Sequence, residues 1–401
     1  MFSICPRTCF TVVVLLLLTA CGGGGGSSPV AIFDVGTGFD DDIENITPAT
    51  DGSGDIYLGG FFTTYQGIAS PGLIRLNNDG SIDTSFVVGS GFNGGVLDTA
   101  VATDGSGDIY VVGHFTTYQG ISSNRIIRLN SNGSIDTGFN VLNGFNAAAY
   151  SIAAATDGSG DVYVGGFFTD YNGSAFNRII RLDSDGSIDP GFDDGSGFNS
   201  NVTRVKEAKD GSFDIYAAGP FTEYRANLRN RLARANNTGT SDNGFLVGSG
   251  FNSTVWSIAP ATDGSGDIYV AGSFTEYDGS NFNRIVRLDN DGNIDPDFDI
   301  GSGFNGLAYD IAIATNGSGD LYVAGGFLSY NGSVSNGIIR LNSDGSRDSS
   351  FDVGTGFDDP AELIATAVDA SGDIYVAGSF TAYNGNSSPG LIRLTSTGLR
   401  N

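Results

Sequence analysis

Short apolar runs alternate with Gly- and Asp-rich turns along most of the chain, and no run has the period of an amphipathic helix. In one stretch, VLDTAVAT (96–103), DIYVVGHF (108–115) and RIIRLN (125–130) are apolar runs of strand length, and SIDTGF (134–139) is a shorter fourth. The intervening DGSGD and NSNGS supply the Asp, Asn and Gly residues that hairpin turns require. The pattern therefore predicts units of four antiparallel strands.

This unit occurs seven times, always 53 residues apart, without insertion or deletion. The spacing is measured on the tyrosine of each D-(I/V/L)-Y step: Tyr57, Tyr110, Tyr163, Tyr216, Tyr269, Tyr322 and Tyr375. A four-stranded sheet cannot cover both of its faces alone, so each unit has to stack on its neighbours. The repeat predicts an all-β fold, either a β-propeller or an open β-solenoid.

The two ends of the repeated region favour the propeller. A solenoid requires end caps unlike its interior, whereas here FDVGTGF at 33–39 repeats FDVGTGF at 351–357, the text expected after Asn401. Residues 31–401 also amount to seven whole repeats of 53 residues. We therefore predict one seven-bladed β-propeller domain over 31–401, closed by an N-terminal strand that forms the outermost strand of the last blade.

The repeat also resembles a known family. The pattern D-G-S-G-D-I-Y-V-x-G-x-F-T-x-Y-x-G, followed by I-I-R-L-N-x-D-G-S-I-D-x-x-F, is similar to the bacterial delta-60 repeat. That resemblance implies a propeller on an exported protein and brings no catalytic residues to this chain.

The first 30 residues differ in composition from the repeats. Arg7, an apolar run from Phe10 to Leu18 and the sequence LTAC at 18–21 resemble the signal peptide and lipobox of a bacterial lipoprotein. The resemblance implies a signal peptide at 1–20, a lipid anchor on Cys21 and a flexible Gly/Ser-rich tether at 21–30. Gly22 after the anchor indicates the outer membrane, with the domain in the periplasm or on the surface. Cys5 and Cys9 leave with the signal, so we expect no disulfide.

The chain is strongly acidic, with 45 Asp+Glu against 19 Lys+Arg and a formal net charge of −26. This balance argues against nucleic acid or anionic lipid surfaces as partners. An arginine recurs on the third strand, as in Arg75, and we expect it to pair with carboxylates such as Asp55 or Asp83. A ring of arginines that grips an anion is the alternative.

Two acidic turns have the oxygen-rich alternation of calcium loops. They are formed by Asp183, Asp185 and Asp189 and by Asp289, Asp291 and Asp295. Other copies carry Asn77, Asn130 and Asn132 at these positions, which weakens the case for calcium. The alternative is that the Asp-Gly pairs only form hairpins, and we expect no other cofactor.

No cluster of catalytic residues is visible. The single histidine, His114, replaces residues such as Phe61 and Ser273 in other copies, and no Ser/His/Asp or Cys/His set accompanies it. We predict a non-enzymatic protein, and a carbohydrate-active enzyme with a carboxylate pair remains the alternative.

Most of the variation between the copies lies on one face, at the starts of the first strands and in the loops after the repeated tyrosines. One position there, which opens the first strand, is here named the entry position. Its occupants are Glu44, Leu97, Tyr150, Thr203, Trp256, Tyr309 and Glu362. The only tryptophan and the two tyrosines outside the repeat columns all lie there. Exposed aromatic residues around a channel mouth are typical of ligand sites, so Tyr150, Trp256 and Tyr309 are candidate ligand-binding residues; packing around the axis is the alternative.

The fourth copy departs most from the others. It contains Arg204, Lys206, Lys209, Arg225, Arg229 and Arg231. We interpret Arg225, Arg229 and Arg231 as a basic site for an acidic ligand, with drift of one copy as the alternative. Together these observations predict an exported, lipid-anchored binding or scaffold module for an unidentified protein or carbohydrate ligand. A calcium-stabilised structural surface protein is a further alternative.

Overall fold

The computed structural model describes residues 32–401, of which Phe33–Asn401 form one compact unit. The predicted signal peptide, Cys21 and the tether lie outside the described residues. Among the residues that are described, no helix has the length and hydropathy needed to cross a membrane. We number the blades 1 to 7 by the tyrosines Tyr57 to Tyr375.

Each blade contains a sheet of three antiparallel strands. The first strands are Ile43–Pro48, Val96–Val101, Ala149–Ala154, Arg204–Glu207, Val255–Pro260, Ala308–Ile313 and Ala361–Thr366. The second strands are Ile56–Gly60, Ile109–Gly113, Val162–Gly166, Ile215–Ala218, Ile268–Gly272, Leu321–Gly325 and Ile374–Gly378. The third strands are Leu73–Leu76, Ile126–Leu129, Ile179–Leu182, Leu232–Ala235, Ile285–Leu288, Ile338–Leu341 and Leu391–Leu394.

A short hairpin joins the second strand of each blade to the third. Its two strands are Thr64–Tyr65 and Ile68–Ala69 in blade 1, Thr117–Tyr118 and Ile121–Ser122 in blade 2, Asp170–Tyr171 and Ser174–Ala175 in blade 3, Glu223–Tyr224 and Asn227–Leu228 in blade 4, Glu276–Tyr277 and Ser280–Asn281 in blade 5, Ser329–Tyr330 and Ser333–Val334 in blade 6, and Ala382–Tyr383 and Asn386–Ser387 in blade 7.

The predicted fourth strand is reduced to one bridging residue in each blade. In blade 1, Ile82 bridges to Leu76, and the pairing ends there. The reason is the next residue, Asp83, whose carboxylate lies 3.2 Å from Arg75 and accepts a hydrogen bond from the Ser85 backbone N–H at 2.8 Å. The chain therefore turns away before a second pair forms.

The seven sheets form a closed ring. Each first strand contacts the first strands of both neighbouring blades, and Ile43–Pro48 contacts Ala361–Thr366 across the junction of blades 7 and 1. Seven buried hydrophobic clusters each combine residues of two adjacent blades. The seven-bladed propeller predicted from the repeat is confirmed.

The N-terminal segment closes the ring in a different way from the one predicted. Arg400, close to the C-terminus, occupies the bridging position of blade 7, so the N-terminal residues do not form its outermost strand. They form the connection from blade 7 to blade 1 instead. The Phe33 N–H donates to the carbonyl of Asn401 at 3.2 Å, the Asp34 N–H donates to Asp79 of blade 1 at 3.0 Å, and Phe39 bridges to Tyr65.

One arginine in each blade pairs with carboxylates of the acidic turns. Arg75 lies 2.9 Å from Asp55 and 3.2 Å from Asp83, and its guanidinium carbon is 5.3 Å from the centre of the Tyr57 ring. Arg128, Arg181, Arg234, Arg287, Arg340 and Arg393 make equivalent contacts. The predicted pairing is confirmed. Because each guanidinium group is already paired with carboxylates, the arginines do not form the anion-binding ring considered as the alternative.

The ring junction yields a stability prediction. Phe33 is 1% exposed and packs edge-on against Tyr375 with ring centres 5.5 Å apart, just as Phe86 packs against Tyr57 at 5.2 Å inside the ring. We expect Phe33→Ala to cost about 3–5 kcal/mol of unfolding free energy, because it leaves a cavity between blades 7 and 1. Urea denaturation measures this loss.

Phe86→Ala is the matched variant within the ring, and Ile32→Ala, at a residue 70% exposed, is the control. A Phe33→Ala chain as stable as the Ile32→Ala chain would show that the N-terminal segment does not hold the ring closed.

Candidate functional site

Two faces of the ring are distinguished by the connections they carry. The turn face carries the DGSGD and DGS turns, and the entry face carries the starts of the first strands and the connections between second and third strands. A cavity that combines Asp40 and Asp41 with Thr381 and Pro389 shows these two kinds of segment meeting on the entry face.

The entry position is a β-bulge in six blades. The pairing of first and second strands skips one residue there: Glu44, Leu97, Tyr150, Trp256, Tyr309 and Glu362. A bulged residue has no cross-strand partner, so its side chain is free to take a new direction. The two strands therefore stay in register, and the side chain at the entry position has no residue opposite it in the sheet.

Blade 4 lacks the bulge, and Pro220 explains why. In blades 1, 2, 3, 5 and 6 the residue at this position donates its backbone N–H to the entry segment, as Phe61 does to Asp42 at 3.0 Å. Proline has no N–H to donate. The first strand of blade 4 consequently begins only at Arg204, and Thr203 donates its N–H to Ala218 at 2.8 Å.

Side chains of five blades meet in a cavity of about 270 Å³ on the entry face. Its lining residues are Asp42, Ile43, Glu44, Arg204, Trp256, Tyr309, Glu362 and Leu363. Trp256 and Tyr309 form one wall, with ring centres 6.4 Å apart and planes inclined at 67°. Trp256 keeps 38% of its surface exposed, so the wall is open to a ligand.

Tyr150 does not line this cavity, although the sequence groups it with Trp256 and Tyr309. Its ring lies 6.1 Å from that of His114, which lies 6.1 Å from Phe61. The entry face thus carries two separate aromatic groups.

Burial lowers the pKa of His114, aided by the nearby charge of Arg125, which favours neutral imidazole at neutral pH.

The three arginines predicted as a basic site are not brought together at the cavity. Arg225 lies 3.5 Å from the Asp193 carboxylate, and Arg231 donates to the carbonyl of Phe251. Arg229 is buried and donates to the Asp242 carbonyl at 3.2 Å. Arg204, which the sequence placed in the same basic group, is the residue of blade 4 that lines the cavity.

Polar residues next to the entry position link adjacent first strands around the channel. Asp98 accepts the Ile152 N–H at 3.0 Å, and Asp310 accepts the Ile364 N–H at 3.0 Å. Ser257 donates its hydroxyl to Asp310 at 2.8 Å. Burial raises the pKa of Asp310, although these hydrogen bonds and the charge of Arg204 oppose the rise. These bonds fix the first strands that carry Trp256 and Tyr309.

Carboxylates line the side of the cavity formed by blades 1 and 7. Burial raises the pKa of Glu44, and the charges of Asp42 and Glu362 add to the rise while Arg204 opposes it. Burial also raises the pKa of Glu362, which accepts a hydrogen bond from the Ser379 hydroxyl at 3.1 Å. From the sequence, Glu44 and Glu362 were noted only as occupants of the entry position and not as site residues. Their place at the same repeat position as Trp256 and Tyr309 was the signal that could have identified them.

The acidic turns are largely satisfied from within the chain. Asp185 accepts the N–H of Ser187 at 2.9 Å, and Asp289 accepts the Asp291 N–H at 2.9 Å. Asp295 lies 3.1 Å from Arg287. Within residues 32–401, the three acidic side chains close enough to share an ion are Asp161, Asp183 and Asp189, with oxygens within 4.8 Å of one another.

Calcium binding at the two turns singled out in the sequence stays a prediction, and this cluster shares Asp183 and Asp189 with the first of them. Arg181 already lies 2.9 Å from Asp161 and 3.3 Å from Asp189, which reduces the charge available to an ion. We therefore expect millimolar Ca²⁺ to leave the melting temperature unchanged relative to chelator. A rise that chelator reverses, and that Asp183→Asn abolishes, would instead establish a calcium site.

The buried carboxyls give a pH prediction. A folded-state pKa above the ordinary value of 4.5 means that Glu44 and Glu362 favour folding most when protonated, and this contribution is lost as pH rises through the folded pKa. Ionisation of these buried carboxyls therefore costs stability as the pH rises. We expect Glu44→Gln and Glu362→Gln to raise the melting temperature near pH 7, and the gain to shrink as the pH falls to about 4.

Glu223→Gln is the control, because Glu223 is exposed on the hairpin of blade 4. Equal effects at all three positions, or a gain that persists in acid, would contradict the assignment to buried carboxyls.

Comparison with known proteins agrees with this architecture. The family model described as "Domain of unknown function (DUF5122) beta-propeller" matches residues 52–86, 105–139, 158–192, 209–245, 264–298, 317–351 and 370–399. No curated protein matches the chain.

Among solved structures, the WD40 β-propeller domain of Doa1 is similar, with 14% identity, a TM-score of 0.52, and coverage of 90% of this chain and 95% of that chain. The WD40 domain of Neurospora crassa Pan2 has 8% identity and a TM-score of 0.47, with coverage of 84% and 85%. The likeness to Doa1 supports the propeller fold alone. Because the seven matched segments fall one in each blade and together span more than half of the sequence, the chain belongs to the DUF5122 β-propeller family.

Proposed function

We propose that this propeller is a binding module whose ligand, a protein or a carbohydrate, docks at the entry-face cavity. One observation carries the proposal: the entry position is bulged out of the sheet in six blades, and four of its occupants, Glu44, Trp256, Tyr309 and Glu362, line one cavity. A repeat that served only to build the ring would have no need to differ there. Propellers are typical binding and scaffold modules, which agrees with this role.

The turn face offers less to a ligand. Its arginines and most of its turn aspartates are engaged with one another or with backbone N–H groups, as Arg393 is with Asp369 and Asp373. A ligand would have to break these buried pairs to bind there, which is costly. The entry face, in contrast, presents aromatic rings with exposed surface.

The proposed location follows from the N-terminal sequence. A lipid on Cys21 would tether the module to the bacterial outer membrane, facing the periplasm or the exterior. Protease treatment of intact cells, followed by detection of the chain, distinguishes these two orientations.

The aromatic wall tests the binding proposal. We expect Trp256→Ala and Tyr309→Ala each to weaken binding by about 1 kcal/mol or more, because exposed rings in a cavity act as anchors. The full chain and each variant are immobilised and compared for capture of envelope components. The captured species is then titrated by calorimetry against every variant, and by the fluorescence of Trp256, the only tryptophan, against the chains that retain it.

Tyr150→Ala is the matched control, since Tyr150 is an aromatic residue on the same type of bulge but outside the cavity. Circular dichroism and melting confirm that each variant is folded. If Tyr150→Ala weakens capture as much as the other two, or if none does, the cavity is not the binding site.

A carbohydrate-active enzyme is the second candidate, favoured by two carboxyls of raised pKa beside aromatic rings. Release of reducing ends from a polysaccharide panel, lost in both Glu44→Gln and Glu362→Gln, would establish this activity. Binding without turnover leaves the module as a binder.

A further inference from the structure

Acidic residues are concentrated in two blades of the entry face. The segment that opens blade 1 reads D-D-D-I-E (40–44), and the segment that opens blade 7 reads D-D-P-A-E (358–362). The equivalent segments of the other five blades contain no acidic residue. Blades 1 and 7 are far apart in sequence but adjacent in the ring, so closure joins the two segments into one acidic sector.

The charge of this sector exceeds what the fold requires. Asp40 accepts the N–H groups of Thr63 and Thr64, each at 2.8 Å, and its pKa falls to about 2 chiefly through the hydrogen bond from the Thr63 hydroxyl. Asparagine accepts the same pair of N–H groups in blades 2 to 6: Asn93, Asn146, Asn199, Asn252 and Asn305. A neutral amide therefore meets the structural need, and the added charge calls for another explanation.

Arginines recur on the entry face of blades 2 to 5. Arg125, Arg178, Arg231 and Arg284 occupy one column there, where blades 1, 6 and 7 have Gly72, Gly337 and Gly390. Each of these arginines has a φ between 66° and 76°, the left-handed region that favours glycine. The hairpins of blades 3 to 5 also carry Asp170, Glu223 and Glu276, so the acidic opening segments are what distinguish blades 7 and 1 on this face.

The cavity lies where this acidic sector meets the aromatic wall. Asp42, Glu44 and Glu362 line it from blades 1 and 7, and Trp256 and Tyr309 line it from blades 5 and 6. Asp42 and Glu362 also line an adjoining cavity of about 240 Å³ with Asp40 and Asp41. A cation entering here contacts carboxylates and the faces of aromatic rings together, a combination that favours ammonium and guanidinium groups.

We infer that the entry face binds a basic segment of a partner protein, with one lysine or arginine side chain inserted between Glu44, Glu362 and the rings of Trp256 and Tyr309. This inference rests on the proposed function and assigns the ligand class of the same cavity. The remaining carboxylates, Asp41 and Asp359 among them, are exposed and face flanking basic residues of the segment.

A single metal ion fits these carboxylates less well. In the part of the chain that the structure describes, the sector contains no set of three carboxylates close enough to share one ion. Charge spread over two adjoining cavities suits an extended polycation.

The probe is a tetralysine peptide, with tetraglutamate and a neutral oligosaccharide as comparisons. The full chain is titrated with each while Trp256 fluorescence and calorimetric heat are recorded. We expect tetralysine alone to shift the fluorescence, and its affinity to fall at least tenfold in Glu44→Gln/Glu362→Gln and several-fold in Asp41→Asn/Asp359→Asn. Binding should also weaken with added salt.

Two variants separate a specific site from attraction to the net charge of −26. Asp297→Asn/Asp299→Asn removes the same charge beside the acidic turn of blade 6, where the Asp299 N–H bonds the Asp344 carbonyl, and should leave the affinity unchanged. Arg204→Gln removes the cation that lines the cavity and should strengthen binding, an effect that structural damage does not mimic.

Equal losses in Asp41→Asn/Asp359→Asn and Asp297→Asn/Asp299→Asn would overturn the inference, as would tetralysine that leaves Trp256 unchanged. Binding of the oligosaccharide alone would assign the cavity to carbohydrate and overturn it as well. If tetralysine fails while Trp256→Ala still abolishes capture of the natural ligand, the binding module stands and only the ligand class is wrong.

Discussion

Each blade buries both faces of its sheet against its two neighbours, and the seam between blades 7 and 1 has to match the six interfaces inside the chain. The match extends to single hydrogen bonds. The Tyr375 hydroxyl donates to the Gly54 carbonyl at 2.6 Å across the seam, as the Tyr110 hydroxyl donates to Gly160 at 3.1 Å between blades 2 and 3. The strands and turns recur without insertion, so every blade presents the same spacing to its neighbours. Buried side chains still differ between copies, as Leu58, Val111 and Ala217 do in one column.

The repeated columns were predictable because they encode this shared environment. The strands, the pairing of Arg75 with Asp55 and Asp83, and the number of blades all follow from residues that recur every 53 positions. The weakest predictions concerned places where a local turn competes with a strand. The segment after Ile82 reads as a strand, yet the turn at Asp83 ends it after one bridge, and the same competition leaves residues 33–39 as a connection.

The site was less predictable because it depends on which blades face one another across the channel. Trp256 and Tyr309 are neighbours in the ring and meet, whereas Tyr150 lies two blades away from Trp256 and packs with His114 instead. Arg204 reaches the cavity from a blade whose strand starts late, because Pro220 cannot donate a hydrogen bond. A single residue just after the second strand thus alters the residue that the first strand presents, a coupling that column-by-column inspection does not reveal.

The acidic sector is assembled from the two ends of the repeated region, and this has a consequence for biosynthesis. Blade 1 is synthesised first and blade 7 last. The carboxylates of residues 40–44 therefore lie beside those of residues 358–362 only after blade 7 has docked on blade 1. The negative charges of the two acidic segments repel each other and oppose closure of the ring. The hydrophobic contact between Phe33 and Tyr375 has to overcome that repulsion. An incomplete or unclosed chain therefore carries aromatic residues but no complete acidic sector, so the charge pattern of the entry face is complete only when the ring is closed.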